Sequence, residues 1–566
     1  MFPSNPCPTV PKRRAYFVGS LFTAISLAAI LLEYPYVAVV PLPFVFFCIF
    51  IKAIVQSKRN RLLNRLYGQL AVESGSVPLS RSHPAFDKGS AAGLQYDLIF
   101  IGGGSAGVAG AKYAVSKYNL KVAVVEYYPN YSVGGTCALR GCIPKIQIHE
   151  SAGLQRTLHS EFASKYGHEV ESTFDWTKLV DSVQNNVTNT STNYETSLPE
   201  MGIDLFFGKG SFVDANTVAI YNPESNDPPK NITGRRIVIS VGGRPTMPKF
   251  DGAEHVITSD ELFRLKEQPK RALIVGAGFI ALEAAGFLCE LGSTVMVAVR
   301  SKVLRTVDND IADQISQDME NLLGVVFMMK TTIEKIEKKD GDLHVTFNTP
   351  KGQKSGIFDT VVYAAGRTPN TDQLALEKVG IVPEKNGKIK CVNERTTIPN
   401  IYAVGDVVFG IPELTPVATQ STKLLLDRLY GGSTDRMDYQ NIASCMFLAP
   451  REYSFVGLSE AKAKEVFGDK VAVFTSSWTP AYWAFVSDSF ICHCKVIVNV
   501  LDDRVLGIHL LAPRGAGEMI QGFSSFVKAK GTKKMLDTTV GIHPTAAEQI
   551  CNTITPKGAA VKVSSC

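Results

Sequence analysis

At 566 residues the chain is longer than a single hydrophobic core supports, so two to four domains are expected. The formal charge of +6 is localised: residues 1 to 92 hold ten Lys/Arg against Glu33, Glu73 and Asp87, a net of +7, which leaves the rest near −1. That balance argues against a nucleic-acid-binding body and for a membrane-facing N-terminus, and eleven cysteines without regular spacing argue against a disulfide scaffold or zinc framework and for a reducing compartment.

Residues 15 to 32 and 34 to 51 are uncharged apolar stretches of 18 residues each, at the short end of what spans a bilayer. Lys12, Arg13 and Arg14 precede them, and Lys52, Lys58, Arg59, Arg61 and Arg65 follow. The positive-inside rule places both flanks in the cytosol. Residues 1 to 67 are therefore expected to be a membrane anchor, a helical hairpin turning at Glu33-Tyr34-Pro35, with the body facing the cytosol. The competing reading is a targeting segment removed in an organelle. Residues 68 to 93, rich in Ser and Gly, read as a linker. Sequons at Asn130, Asn186, Asn189 and Asn231 would matter only if the body were lumenal.

A strand over Tyr96 to Ile101 is predicted to run into Gly102-x-Gly104-Ser105-x-Gly107 and a helix, with a second strand from Val122 ending at Glu126. Glycines in this pattern let a pyrophosphate approach a helix N-terminus, and an acid 19 residues past the last glycine can accept hydrogen bonds from a ribose. The pattern recurs at Ala272 to Val275, Gly276-x-Gly278-Phe279-x-Ala281 and Val295 to Val299. There the acid is replaced by Arg300 with Arg305 behind it, a pair suited to a 2′-phosphate. NADPH is expected at this second site.

Between the two lies Gly134-Gly135-Thr136-Cys137-Ala138-Leu139-Arg140-Gly141-Cys142-Ile143-Pro144-Lys145. Five residues of ideal helix advance about 7.5 Å, beyond the roughly 7 Å Cα limit of a disulfide. A bridge therefore needs an irregular turn, which Gly141 permits. A loop this short gains little closure entropy, so such a bridge would be labile. The segment resembles the redox-active segment of the pyridine nucleotide disulfide oxidoreductases, the glutathione reductase and thioredoxin reductase family, and the resemblance extends from about residue 94 to 566.

The resemblance implies an α/β fold of two Rossmann-like domains and a C-terminal α+β dimerisation domain. The first FAD-binding part would span 94–243, the NADPH domain 244–366, the second FAD part 367–436, the interface domain 437–555 and a flexible redox arm 556–566. FAD would be held by Gly102, Gly104, Ser105, Gly107, Glu126, Gly135, Thr136, Gly243, Arg367, Asp406 and Thr415, with Asp406 on the ribitol. NADPH would be held by Gly276, Gly278, Phe279, Ala281, Arg300 and Arg305, with Phe279 covering the flavin until nicotinamide displaces it. Lys145 and Glu283 would pair beside the flavin ring.

Gly541-Ile542-His543-Pro544-Thr545-Ala546-Ala547-Glu548 resembles the family's acid-base motif, which reaches the cysteines of the other subunit and so implies a homodimer. His543 would protonate the leaving thiol, with Glu548 fixing its tautomer. Cys142 would be the thiolate against the flavin, and Cys137 the exchanging sulfur. Within the family the chain is expected to fall with the large thioredoxin reductases, with glutathione reductase as the alternative, and to act on a thioredoxin-like protein or a small disulfide. Lys112, Tyr113 and Lys423 stand where glutathione reductase places arginines around its substrate. Alternatives of other classes are a tethered flavoprotein sensor without turnover and a quinone-reducing dehydrogenase. The tail ends at Cys566. One thiol cannot close the internal bridge of a redox arm, so the native chain is expected to continue past Cys566 with selenocysteine and glycine.

Overall fold

A computed structural model describes residues 93–127, 132–486 and 490–559. The N-terminal apolar runs, and with them the expected anchor, lie outside the described residues, as do Asn130 and Cys566. Among the described residues no helix is long and apolar enough to cross a membrane.

The first sheet grows around β1 (Tyr96–Ile101), whose sequence YDLIFI is buried at all but one position. A strand buried on both faces shows a continuous apolar run rather than alternation, as parallel sheets require. β1 leads into α1 (Ser105–Tyr118) and then β2 (Val122–Glu126), which lies parallel to it with Leu98 opposite Val122. After β2 come α2 (Gly135–Arg140), α3 (Cys142–His159), the 25-residue α4 (Trp176–Glu200) and β3 (Asp204–Phe207). An antiparallel run, β4 (Lys209–Phe212), β5 (Thr217–Tyr221) and β6 (Lys230–Ile239), then returns to the sheet, giving the order β3-β2-β1-β6-β5-β4. A short strand, β7 (Gly243–Pro245), leaves it.

The second sheet begins after α5 (Ser259–Leu262), whose first turn is closed by a capping box between Thr258 and Glu261. Its strands are β8 (Arg271–Val275), β9 (Thr294–Val299), β10 (Val326–Met329) and β14 (Thr360–Tyr363), all parallel in the order β10-β9-β8-β14. α6 (Phe279–Glu290) and α7 (Asn309–Leu323) cross between them, and β11 (Thr332–Lys339), β12 (Asp342–Thr349) and β13 (Gly352–Phe358) form an antiparallel meander. β15 (Arg367–Pro369) pairs with β7, and β16 (Ile401–Ala403) rejoins the first sheet beside β6. The chain thus leaves the first sheet, builds a second and returns.

α8 (Thr415–Tyr430) packs against α1 and leads to the last sheet. Its six strands are antiparallel in the order β17-β18-β21-β20-β19-β22: β17 (Ser444–Met446), β18 (Glu452–Gly457), β19 (Val471–Trp478), β20 (Cys492–Asn499), β21 (Arg504–Ala512) and β22 (Thr555–Pro556). α9 (Ala516–Lys528) covers it. A helical turn, α10 (Glu548–Cys551), precedes β22 and holds Cys551. One apolar core runs through Leu139, Ile148, Val180, Ala281, Phe287, Val297, Met446 and Tyr453, so the helix after the cysteines, the second nucleotide domain and the last sheet share an interior.

Candidate functional site

α2 and α3 are one helical path broken at Gly141. The irregular turn falls at Gly141, as expected. Gly141 has φ −137°, open to any residue, but a Cβ there would lie 2.8 Å from the Thr136 carbonyl oxygen. It is the close approach that demands glycine. The break turns Cys142 back towards Cys137, and both are thiols in this structure. Each sulfur responds to the other. The Cys142 thiol donates to Cys137, which lowers the Cys137 pKa to about 6, with help from the Thr415 and Ser105 hydroxyls and the Lys145 charge. The same hydrogen bond and burial push Cys142 upward. In the dithiol as it stands the hydrogen bond favours the Cys137 thiolate; the expectation of a Cys142 thiolate concerns the pair with a flavin ring against it.

Ser105 opens α1 and Thr415 opens α8, so two helix starts converge on the cysteine pair. The Thr415 hydroxyl also stands 3.9 Å from the Cys142 sulfur. From the other side Lys145 Nζ meets Glu283 Oε1 at 3.0 Å, with Glu283 buried on α6. Burial raises the Glu283 carboxyl, and Lys145 with the Phe447 backbone N–H, 2.9 Å away, opposes the rise. The Phe447 ring stacks beneath the Lys145 ammonium at 4.2 Å. Phe447 was not legible beforehand, because it follows β17 some 300 residues from the lysine.

The nucleotide cradles were tested on their backbones. In the first, a Cβ on Gly107 would lie 2.0 Å from the Gly102 carbonyl oxygen, and Gly135, at φ +66°, approaches the Gly104 Cα so closely that a Cβ would stand 2.7 Å from it. Gly104 begins α1 without a side-chain cap, leaving the first-turn N–H groups open. Glu126 is buried at the end of β2 and accepts from Gly103 N–H at 2.5 Å. Burial raises its pKa to about 7. An uncapped helix start beside a buried acid fits the pyrophosphate and ribose of a dinucleotide.

Arg367 Nη2 donates to Thr136 Oγ1 at 3.2 Å and to the Gly243 carbonyl oxygen. Asp406 lies on a short 3-10 turn, raised by burial and held down by Arg367 and Lys388. In the second cradle Gly276 follows β8, Gly278 begins α6 without a side-chain cap, and a Cβ on Gly278 would meet nothing within 4 Å. Ala281 is buried in α6, and Phe279 is 46% exposed at its start. Arg300 and Arg305 are exposed just beyond β9. This cradle has the room and the charge for a phosphorylated dinucleotide.

His543 Nδ1 lies 3.0 Å from Glu548 Oε1, with the imidazole exposed and the carboxylate buried. Val540 and Ile542 beside it are 94% and 77% exposed. Cys137 takes its hydrogen bonds from Cys142, Thr415 and Ser105 of its own chain, not from His543. Lys112 donates to Ser197 at 2.9 Å and lies over the Tyr194 ring, while Lys423 lies over the Tyr113 ring, whose hydroxyl is bound to Asp427.

A dithiol set between two dinucleotide cradles is the apparatus of a disulfide oxidoreductase. The chain belongs to the pyridine nucleotide-disulphide oxidoreductase family, whose model matches residues 96–422, and that family's dimerisation domain matches residues 442–554. It is 38% identical over 481 residues to a thioredoxin reductase of Emiliania huxleyi, covering 81% of this chain and 96% of that one. It is 37% identical over 505 residues to the mitochondrial thioredoxin reductase 2 of Drosophila melanogaster, covering 86% and 95%. Membership implies a flavoprotein disulfide reductase that uses FAD and a nicotinamide dinucleotide.

Proposed function

We propose that the chain is an NADPH-dependent thioredoxin reductase acting as a homodimer. The observation that carries this is the Cys137–Cys142 dithiol held between the two cradles, with the Thr415 hydroxyl 3.9 Å from the Cys142 sulfur and Lys145 bound to Glu283 of the second cradle's helix. FAD and NADPH, when bound, supply the two electrons that open the Cys137–Cys142 disulfide. Gly102, Gly104, Gly107, Glu126, Gly135, Gly243, Arg367 and Asp406 would hold FAD, and Gly276, Gly278, Arg300 and Arg305 would hold NADPH. Phe279 would lie over the flavin ring, and Lys145 with Glu283 would fix its surroundings.

Cys137 as thiolate then attacks a substrate disulfide, and one substrate sulfur leaves. His543 of the partner subunit gives that sulfur a proton while Glu548 orients the imidazole. Cys142 displaces the second substrate thiol and restores the Cys137–Cys142 bond, so two electrons and two protons pass to the substrate. The exposed His543, with its exposed apolar neighbours, supports delivery across a dimer interface.

The immediate acceptor would be a C-terminal arm in which Cys566 is bridged to a second redox residue, or the substrate disulfide directly, with thioredoxin the final acceptor. The basic, apolar N-terminus supports a membrane tether with the body in the cytosol, and the mitochondrial relative supports the organellar alternative. Turnover of thioredoxin with NADPH, measured beside Cys142→Ser and Cys566→Ser, tests the scheme. Loss in both variants, with small-disulfide reduction kept only by Cys566→Ser, is expected. Thioredoxin reduction unaffected by either substitution would defeat it.

A further inference from the structure

On the loop from β9 to α7, Arg305 and Thr306 are exposed between two buried pairs, Val303-Leu304 and Val307-Asp308. Each pair is fastened elsewhere. Leu304 takes the left-handed conformation, φ 45°, and its N–H donates at 2.9 Å to the carbonyl oxygen of Ala277, inside the glycine turn of the second cradle. That bond brings the loop to the cradle. At the other end Asp308 stands in the N-cap position of α7, where an acid ordinarily accepts from the first turn of its own helix. It makes no such bond. Both of its carboxylate oxygens are taken by the last domain: Oδ1 accepts from Lys495 Nζ on β20 at 2.6 Å, and Oδ2 from the Glu460 N–H at 3.1 Å.

Lys495 is the centre of a cluster. Its Nζ also meets Asp310 Oδ2 at 2.5 Å and Glu460 Oε2 at 3.1 Å. Its side chain is 3% exposed and that of Asp308 1%, so this pair is out of water. Lys557 joins Asp310 and Glu460 at 2.6 and 2.8 Å, and Lys464 takes Glu460 Oε1 at 2.7 Å. These three acids and three lysines balance in charge. Burying such a group gains little stability over apolar packing of the same volume, because desolvation offsets the attraction. What it supplies is direction. An ammonium among three fixed acceptors holds Asp308, and with it the end of the loop, at one point.

We propose that Lys495 is a positioning residue for coenzyme recognition: by holding Asp308 it sets where Arg305 is presented to a 2′-phosphate. The inference rests on the reading of Arg300 and Arg305 as the phosphate grip of the second cradle. Lys495, buried among the acids, acts only through the loop. Its loss leaves the Leu304–Ala277 bond and the glycine turn in place, so the loop end alone is released and the phosphate contact alone weakens.

The test is calorimetric titration of the FAD-loaded holoenzyme with adenosine 2′,5′-bisphosphate and with adenosine 5′-monophosphate, which differ only in the 2′-phosphate. The unaltered protein should bind the bisphosphate more tightly. Lys495→Met should weaken the bisphosphate by about tenfold, the size of one charge-assisted contact, and leave the monophosphate unchanged. Asp308→Asn should do the same, and the double variant should lose no more than Lys495→Met alone, because the two residues act in series. Lys464→Met, on the exposed rim of the cluster, should leave both affinities as they are.

Equal weakening of both ligands by Lys495→Met would assign the lysine a merely structural role, and an unchanged bisphosphate affinity would remove it from recognition. Either result overturns the proposal. Should Lys495→Met not fold, Asp308→Asn, which keeps the side-chain volume at the loop end, makes the same comparison. Failure of the underlying reading has its own signature: Arg300→Ala with Arg305→Ala would then leave the difference between the two ligands untouched, and the proposal would fall with it.

Discussion

Lys145 and Glu283 meet 3.0 Å apart between the helix that follows Cys142 and the helix that opens the second nucleotide cradle. Both are largely buried, and neither has another charged partner at hydrogen-bond distance among the described residues. The pair fastens the cysteine segment to the second domain.

Breaking that pair strands a carboxylate. Lys145→Met should cost about 3 to 5 kcal/mol at alkaline pH and should slow reduction of the cysteines by NADPH. The pH dependence has a definite sign. Glu283 is raised above its ordinary value by burial even beside Lys145, so loss of the lysine raises it further. An acid raised in the folded state binds more protons folded than unfolded, so the variant loses stability as pH rises from about 4.5. Urea unfolding at pH 5 and pH 8 should show the larger deficit at pH 8. Equal deficits would mean that Glu283 is not the stranded group.

The coenzyme preference rests on two exposed guanidiniums. Arg300→Ala with Arg305→Ala removes two charge-assisted contacts to a 2′-phosphate. Each is worth about 1.5 to 3 kcal/mol when desolvated and less in the open. The ratio of kcat/KM for NADPH over NADH should fall by about ten- to a hundredfold, through KM. An unchanged ratio would place the phosphate elsewhere.

His543→Gln should leave reduction of the enzyme by NADPH intact and slow the oxidative half-reaction by about 10² to 10⁴. Separate stopped-flow measurement of the two halves resolves this. Glu548→Gln should lower the same half less, because the imidazole is exposed and loses only its orientation. A heterodimer of His543→Gln and Cys137→Ser subunits should retain one working site of two. A fully dead heterodimer would argue against delivery between subunits.

Local chemistry was the readable part of this sequence. The strand-glycine-helix units and the acid at Glu126 are set by backbone requirements within some thirty residues, and β1 falls on Tyr96–Ile101 as the run of apolar residues predicts. β2 ends at Glu126 as expected, while β8 and β9 each begin one residue before the predicted bounds, at Arg271 and Thr294, because these two residues pair with one another in the ladder. What was not readable depends on chain folding across domains. Phe447 reaches Lys145, and Lys495 reaches Asp308, only through the interior that the second nucleotide domain and the last sheet share.

The assignment of the two sulfurs follows from their hydrogen bonds. Cys137 accepts from Cys142, Thr415 and Ser105, so its pKa falls to about 6, while Cys142 is pushed up. The two thiols titrate as a pair, and the hydrogen bond from Cys142 to Cys137 favours the Cys137 thiolate. In the reduced enzyme, iodoacetamide should therefore label Cys137 first, with a rate that rises to half its plateau near pH 6 and is nearly flat above pH 7.5. Cys142→Ala removes the leading cause and should move that midpoint upward. Thr415→Val removes a smaller one and should move it less. Peptide mapping of the labelled cysteine at each pH reads both quantities at once. Preferential labelling of Cys142 at pH 6, or a larger shift from Thr415→Val than from Cys142→Ala, would reverse the assignment and return the exposed charge to Cys142.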